Sequence, residues 1–197
     1  MSDLLVITLL SIKVAFIATL LVIPIGTTIA WWLSVTKSKF RAIFESLILV
    51  PMIMPPVAVG LILLNLFSVT GPIGRLIDYL FDTQIILTWY AAVLAAAIVA
   101  LPLYVKAAQG AFMSVPKRYL AVAETMGKSP VQIFFFVTIP MSLRGIFNGS
   151  ILSFARGLGE FGATILVAGI IPGETETLAL GIYDRITNGN DSEAWTL

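Results

Sequence analysis

Ser153-Phe154-Ala155-Arg156-Gly157-Leu158-Gly159-Glu160-Phe161-Gly162-Ala163-Thr164-Ile165 puts an arginine and a glutamate inside an otherwise apolar stretch. That stretch extends from about Met141 to Ile171, long enough to cross a bilayer. A charge at such depth costs several kcal/mol unless it is paired or faces water or protein. Arg156 and Glu160 stand four apart, so on one continuous helix they share a face and can pair. Ala155, Gly159 and Ala163 recur at the same spacing and favour close helix contact. A span of this kind packs tightly and lines something polar, which suits a transport pathway better than a lipid-facing anchor.

Composition agrees. The chain has 197 residues, 58% of them hydrophobic and 12% charged, and a mean hydropathy of +0.99. A soluble domain of this size cannot hide so much apolar surface, so an integral membrane protein in one domain, residues 4–197, is expected. The sequence contains no cysteine and no histidine, which excludes disulfides and thiolate metal sites and removes the commonest general base. No cofactor is implied. A formal net charge of +1 argues against nucleic acid as a partner. The start, Met-Ser-Asp, has no basic region and no small-residue cleavage site, and reads as leading into a retained membrane helix.

The apolar runs define four expected spans. They cover about 4–35, interrupted at Pro24 and Gly26; about 47–69, with Pro51, Pro55 and Pro56; about 85–112, with Pro102; and about 142–171. Prolines bend helices and free carbonyls, a pattern tolerated in membranes where neighbours or water satisfy them. The first connection carries Lys37, Lys39 and Arg41, and the third Lys117, Arg118 and Lys128. Basic loops belong in the cytoplasm, so the N-terminus is expected outside. The last residues, with Trp195, resemble the onset of a fifth span beyond residue 197. Lys13, roughly 15 Å along the first helix, reads either as a cation snorkelling to headgroups or as one facing an outer vestibule. Pro51, Pro55, Pro56 and Gly60 mark a hinge or gate, or plain packing kinks. The run Phe134-Phe135-Phe136 reads as membrane-surface packing.

Between the third and fourth spans lies a distinctive loop, Ser114–Pro140. Pro116 opens a short helix, Tyr119, Val122, Ala123 and Met126 form one apolar face, and Gly127 ends it. A second apolar helix follows Ser129-Pro130 and stops before Pro140. By physics alone the loop either docks a partner or lies on lipid.

The spacing of this loop resembles the signature of ABC importer permeases, a Glu-Ala-Ala segment, a glycine four positions on, and a terminal Ile-x-Leu-Pro. Ala121-Val122-Ala123 occupies the first positions, Gly127 the glycine, and Val137-Thr138-Ile139-Pro140 the end. The family's glutamate is replaced by Ala121, and Glu124 stands one turn away. Val50–Gly60, Phe154–Ile165 and Ile171–Leu178 are similar to segments of molybdate permeases, the ModB family, with tungstate and sulfate permeases as close alternatives. The resemblance implies an all-α, polytopic, type I ABC importer (MetI-like) fold in a bacterial or archaeal plasma membrane. It implies a second permease copy, separate ABC ATPase subunits and an extracytoplasmic oxyanion-binding protein as partners. Coupling to the ATPase would fall to Arg118, Ala121, Val122, Ala123, Glu124, Gly127 and Lys128. Arg156, Glu160 and Lys13 would line the path or brace it. The chain carries no Gly-x-x-x-x-Gly-Lys-Ser/Thr motif and is expected to be a transport subunit, not an enzyme. A channel or secondary transporter is the rival of another class.

Overall fold

A computed structural model describes residues 3–197, and among them every regular element is helical. Three helices are long and apolar enough to cross a membrane: α1 (Asp3–Val35), α5 (Trp89–Met113) and a continuous helix over Pro130–Leu158. The last comprises α7 (Pro130–Ile133), a π turn (Phe134–Thr138) and α8 (Ile139–Leu158). A fourth candidate is a bent pair, α2 (Arg41–Ile53) and α3 (Pro56–Phe67), which meet at 107°.

The alanine-rich α5 is the centre. Ala91, Ala92, Ala95, Ala96 and Ala100 are buried, and such small side chains let helix backbones approach closely. α1 packs on one side of it and α8 on another. Gly157 of α8 sits where a Cβ would lie 3.6 Å from Ala15 and 3.7 Å from Ala96, so three helices meet at one point. Lower down, Tyr104 is wholly buried and its hydroxyl shares a 2.6 Å hydrogen bond with Thr27. Gly26 leaves the space its ring occupies.

The structure departs from the sequence reading in each of the four apolar runs. α1 is not interrupted at Pro24 and Gly26 but runs unbroken for 33 residues. One lost donor does not end so long an apolar helix once its glycine packs on Tyr104. The second run begins at Arg41 rather than Leu47 and is two helices meeting at a sharp bend rather than one continuous helix. Pro55 forces Met54 into extended backbone (ψ 146°) and Pro56 opens α3. The third begins at Trp89, because Leu87 turns into the left-handed region at φ 63° and donates its N–H to Val167 at 2.8 Å. The fourth does not reach Ile171 but ends at Leu158.

Further short helices lie outside the expected spans. α4 (Pro72–Phe81) is a short amphipathic helix with Leu76, Tyr79, Leu80 and Phe81 exposed. α10 (Leu178–Thr187) follows a compact loop in which the Thr175 hydroxyl donates to the Gly169 carbonyl at 3.1 Å and accepts from the Ile171 N–H at 3.0 Å. That loop is fastened to α1, since the Ser11 hydroxyl accepts the Leu178 N–H at 2.7 Å. Glu176 and Arg185 pair at 2.7 Å beside it. α11 (Asp191–Ala194) closes the described chain.

Candidate coupling and translocation sites

The loop between α5 and the Pro130–Leu158 helix is built from local signals. α6 (Lys117–Thr125) starts after Pro116. It ends in a Schellman turn: Gly127 takes φ 74°, its N–H donates to the Glu124 carbonyl at 2.9 Å, and Lys128 donates to Ala123 at 3.1 Å. A capping box follows at once. The Gln132 N–H donates to the Ser129 hydroxyl at 3.3 Å, and the Ser129 N–H to the Gln132 side chain at 3.0 Å. Two caps back to back leave little freedom between the helices.

Ala123 is buried against the chain, and α6 packs on α7 and the π turn. Tyr119, Val122 and Met126 remain exposed, so the apolar face expected as a unit is divided between inward and outward sides. Ala121, Glu124, Gly127 and Lys128 are also exposed. Arg118 lies along the Tyr119 ring, 5.0 Å from its centroid.

The second helix does not stop before Pro140. It widens into the π turn, where the Ile139 N–H donates to the Phe134 carbonyl, and continues through Pro140. Pro140 has no N–H, and its ring crowds the carbonyl four residues earlier; widening the turn relieves this. Phe134 is buried, which corrects its reading as membrane-surface packing. Its ring lies 4.5 Å from Trp31 and 6.0 Å from Phe112. The loop is thereby keyed into the core shared by α1 and α5. Phe135 and Phe136 are exposed.

Arg156 and Glu160 pair at 2.7 Å, but not on one helix face. Gly159 ends α8 and Glu160 lies in the break before α9 (Gly162–Val167). Its other oxygen accepts the Ala163 N–H at 2.9 Å. A buried carboxylate at a helix N-terminus is favoured by the free N–H groups there. Glu160 thus ties the end of one helix to the start of the next. The expected small-residue stripe of Ala155, Gly159 and Ala163 is broken at the same point. Ala163 instead faces α3, where a Cβ on Gly60 would lie 2.8 Å from its Cα. A Cβ on Gly162 would likewise lie 2.8 Å from Pro56. Pro51 lies inside α2, while Pro55 and Pro56 make the bend at the head of α3.

Lys13 has another partner again. Its ammonium stands 3.7 Å over the Trp89 ring. Trp89 is the first residue of α5, and from Lys13 to Val35 α1 continues for about 33 Å, one hydrocarbon core. Lys13 is therefore level with a helix end and an aromatic pair, Trp89–Tyr90, rather than deep in a span. Sequence reasoning missed the group at the opposite end, where Glu45 of α2 bonds Lys106 of α5 and lies 3.8 Å from Arg41. A lone acid opening one apolar run and a lone base near the end of the next was the available signal.

A membrane protein with three long apolar helices, a bent pair as a fourth candidate span and an exposed loop helix is the class that fold and loop define. The family described as binding-protein-dependent transport system inner membrane component matches residues 22–192, and the chain belongs to it. It is 41% identical over 188 residues to the molybdenum transport system permease protein ModB of Escherichia coli (strain K12), covering 94% of this chain and 82% of that one. It is 38% identical over 186 residues to the putative molybdenum transport system permease protein YvgM of Bacillus subtilis (strain 168), with the same coverage of 94% and 82%. Among solved structures, the inward facing MetNI methionine ABC transporter matches with a TM-score of 0.72 at 16% identity, covering 95% of this chain and 83% of that one. A bacterial ABC transporter that imports alginate matches at 0.74 and 14%, covering 98% and 72%. The fold is that of ABC importer permeases, and the protein is a multi-pass membrane component.

Proposed function

We propose that this chain is the permease subunit of an ATP-driven molybdate importer, two copies enclosing one path. The observation that carries the substrate is the 41% identity to a molybdenum transport permease along nearly the whole chain. The N-terminus faces outward and α6 the cytoplasm, since the connections with Lys37, Lys39, Arg41, Lys117 and Arg118 are basic.

In this reading α6 docks on a separate ATPase through Tyr119, Val122 and Met126, with Arg118, Ala121, Glu124 and Lys128 around them. Closure of the ATPases draws the two α6 helices together. The capped turn at Gly127–Gln132 transmits this as a rigid arm, and Phe134 passes it to α1 and α5. Glu160 and Arg156 brace the break beside the path; a paired arginine leaves little charge for a passing dianion, which needs favourable but weak contacts. The Pro55–Pro56 bend and Gly60 set the facing wall. An oxyanion-binding protein supplies substrate from outside.

The test is uptake by proteoliposomes holding this permease with its ATPase and binding protein. ATP-dependent accumulation of molybdate, with sulfate at least tenfold poorer, is expected; preferential uptake of sulfate or tungstate would reassign the substrate, and uptake without ATPase would overturn the class. Gly127→Val places a β-branched residue at a left-handed position, a strain of about 1–2 kcal/mol. It should leave assembly intact but lower transport per ATP hydrolysed severalfold.

A further inference from the structure

A long apolar groove lies between α1 and α5 on the side of α4. It comprises a cleft of about 570 Å³ continuing into one of about 270 Å³, the two sharing Leu21 and Leu94. Ile17, Leu21 and Ile25 line it from α1, and Leu94, Ile98 and Leu101 from α5. On α1 these residues follow Lys13 at spacings of four, so the cation heads a ridge of apolar side chains in which each is a neighbour of the next. From Lys13 to Ile25 the ridge is about 18 Å long. One leaflet of a hydrocarbon core is about 15 Å.

Charge selects the occupant. The Lys13 side chain is exposed, and the ion pairs formed among the described residues do not include it. Its contact with Trp89 orients the ammonium without neutralising it. Trp89 and Tyr90 border the groove at the same level, where aromatic residues mark a membrane interface. Polar Thr83 and Gln84 stand at the same mouth. A cation above an apolar trough one leaflet deep fits a phosphate with an acyl chain beneath it.

We propose that this groove holds an acyl chain of an anionic phospholipid from the leaflet on the Asp3 side, with its phosphate on Lys13. The site depends only on the chain being membrane-embedded, and not on its substrate or its orientation.

A chain with Trp31→Phe, Trp32→Phe and Trp195→Phe keeps Trp89 as its single tryptophan. In phosphatidylcholine vesicles containing chain-brominated lipid, quenching of Trp89 should give phosphatidylglycerol an association constant about fivefold above phosphatidylcholine, the weight of one interfacial cation. Lys13→Gln should bring the ratio to about one, and Lys13→Arg should restore it. Native mass spectrometry of the unsubstituted chain should show phosphatidylglycerol retained in preference to phosphatidylcholine. Equal quenching by both lipids, a preference that survives Lys13→Gln, or loss of the preference on adding millimolar inorganic phosphate would overturn the proposal, the last pointing to a small-anion site.

Discussion

The chain breaks twice in apolar surroundings, and the two breaks are made by different means. Between α2 and α3 the bend of 107° is fixed covalently, by Pro55 restricting Met54 and by Pro56 starting the next helix. Between α8 and α9 nothing covalent fixes it. One carboxylate holds it, with Arg156 on one oxygen and the Ala163 N–H on the other. The two breaks also touch, Gly60 on Ala163 and Gly162 on Pro56. A wall that cannot straighten is therefore packed against one whose geometry hangs on a single side chain. Polar clamps can be released by changing their partners, whereas a proline bend cannot, so a substitution at Glu160 should loosen its break more than one at Pro55 loosens the other.

The largest effect should come from Glu160→Ala. It leaves the half-buried Arg156 unpaired and strands the buried Ala163 N–H, and should cost about 3 kcal/mol, read as a lowered unfolding temperature in detergent. Replacing Arg156 and Glu160 together with methionine should cost clearly less than Glu160→Ala; an equal or larger loss would show that the pair does more than brace the break. Next comes Gly162→Val, which drives a branched side chain against Pro56 and should cost about 1–3 kcal/mol; an unchanged unfolding temperature would mean the breaks do not bear on each other. Least affected should be Pro55→Ala. It removes only the restriction on Met54, and stability should change by about 1 kcal/mol or less. Spin labels on α2 and α3 should nonetheless report a broader distance distribution; a sharp, unshifted one would show that Pro56 alone sets the bend.

The sequence made the membrane class, the apolar runs and the α6 loop readable, because each rests on local composition or on residues a few positions apart. Gly127 and Ser129-Pro130 are such signals, and both caps form at those residues. What escaped was tertiary. The doublet Pro55-Pro56 was a local sign of a break, but nothing local says that α1 ignores Pro24, which is supported by Tyr104 across the interface with α5. The helical spacing of Arg156 and Glu160 correctly paired them, yet for a reason the pattern did not contain, since Glu160 reaches back from beyond the helix end. The Glu45–Lys106 bond joins residues 61 apart and could be suspected only from isolated charges at two run ends.

The π turn has a consequence for phase. A five-residue turn contains one residue more than the helix on either side needs, so it offsets everything before it by roughly 100° from everything after it. With that offset, Ile133 before the turn, Phe134 at its first position, and Ser142, Gly149 and Ser153 after it are all buried. Removing one residue between positions 134 and 138 would leave hydropathy and length almost untouched. It would nonetheless swing α6 about a quarter-turn around the helix axis, taking Phe134 out of its seat between Trp31 and Phe112.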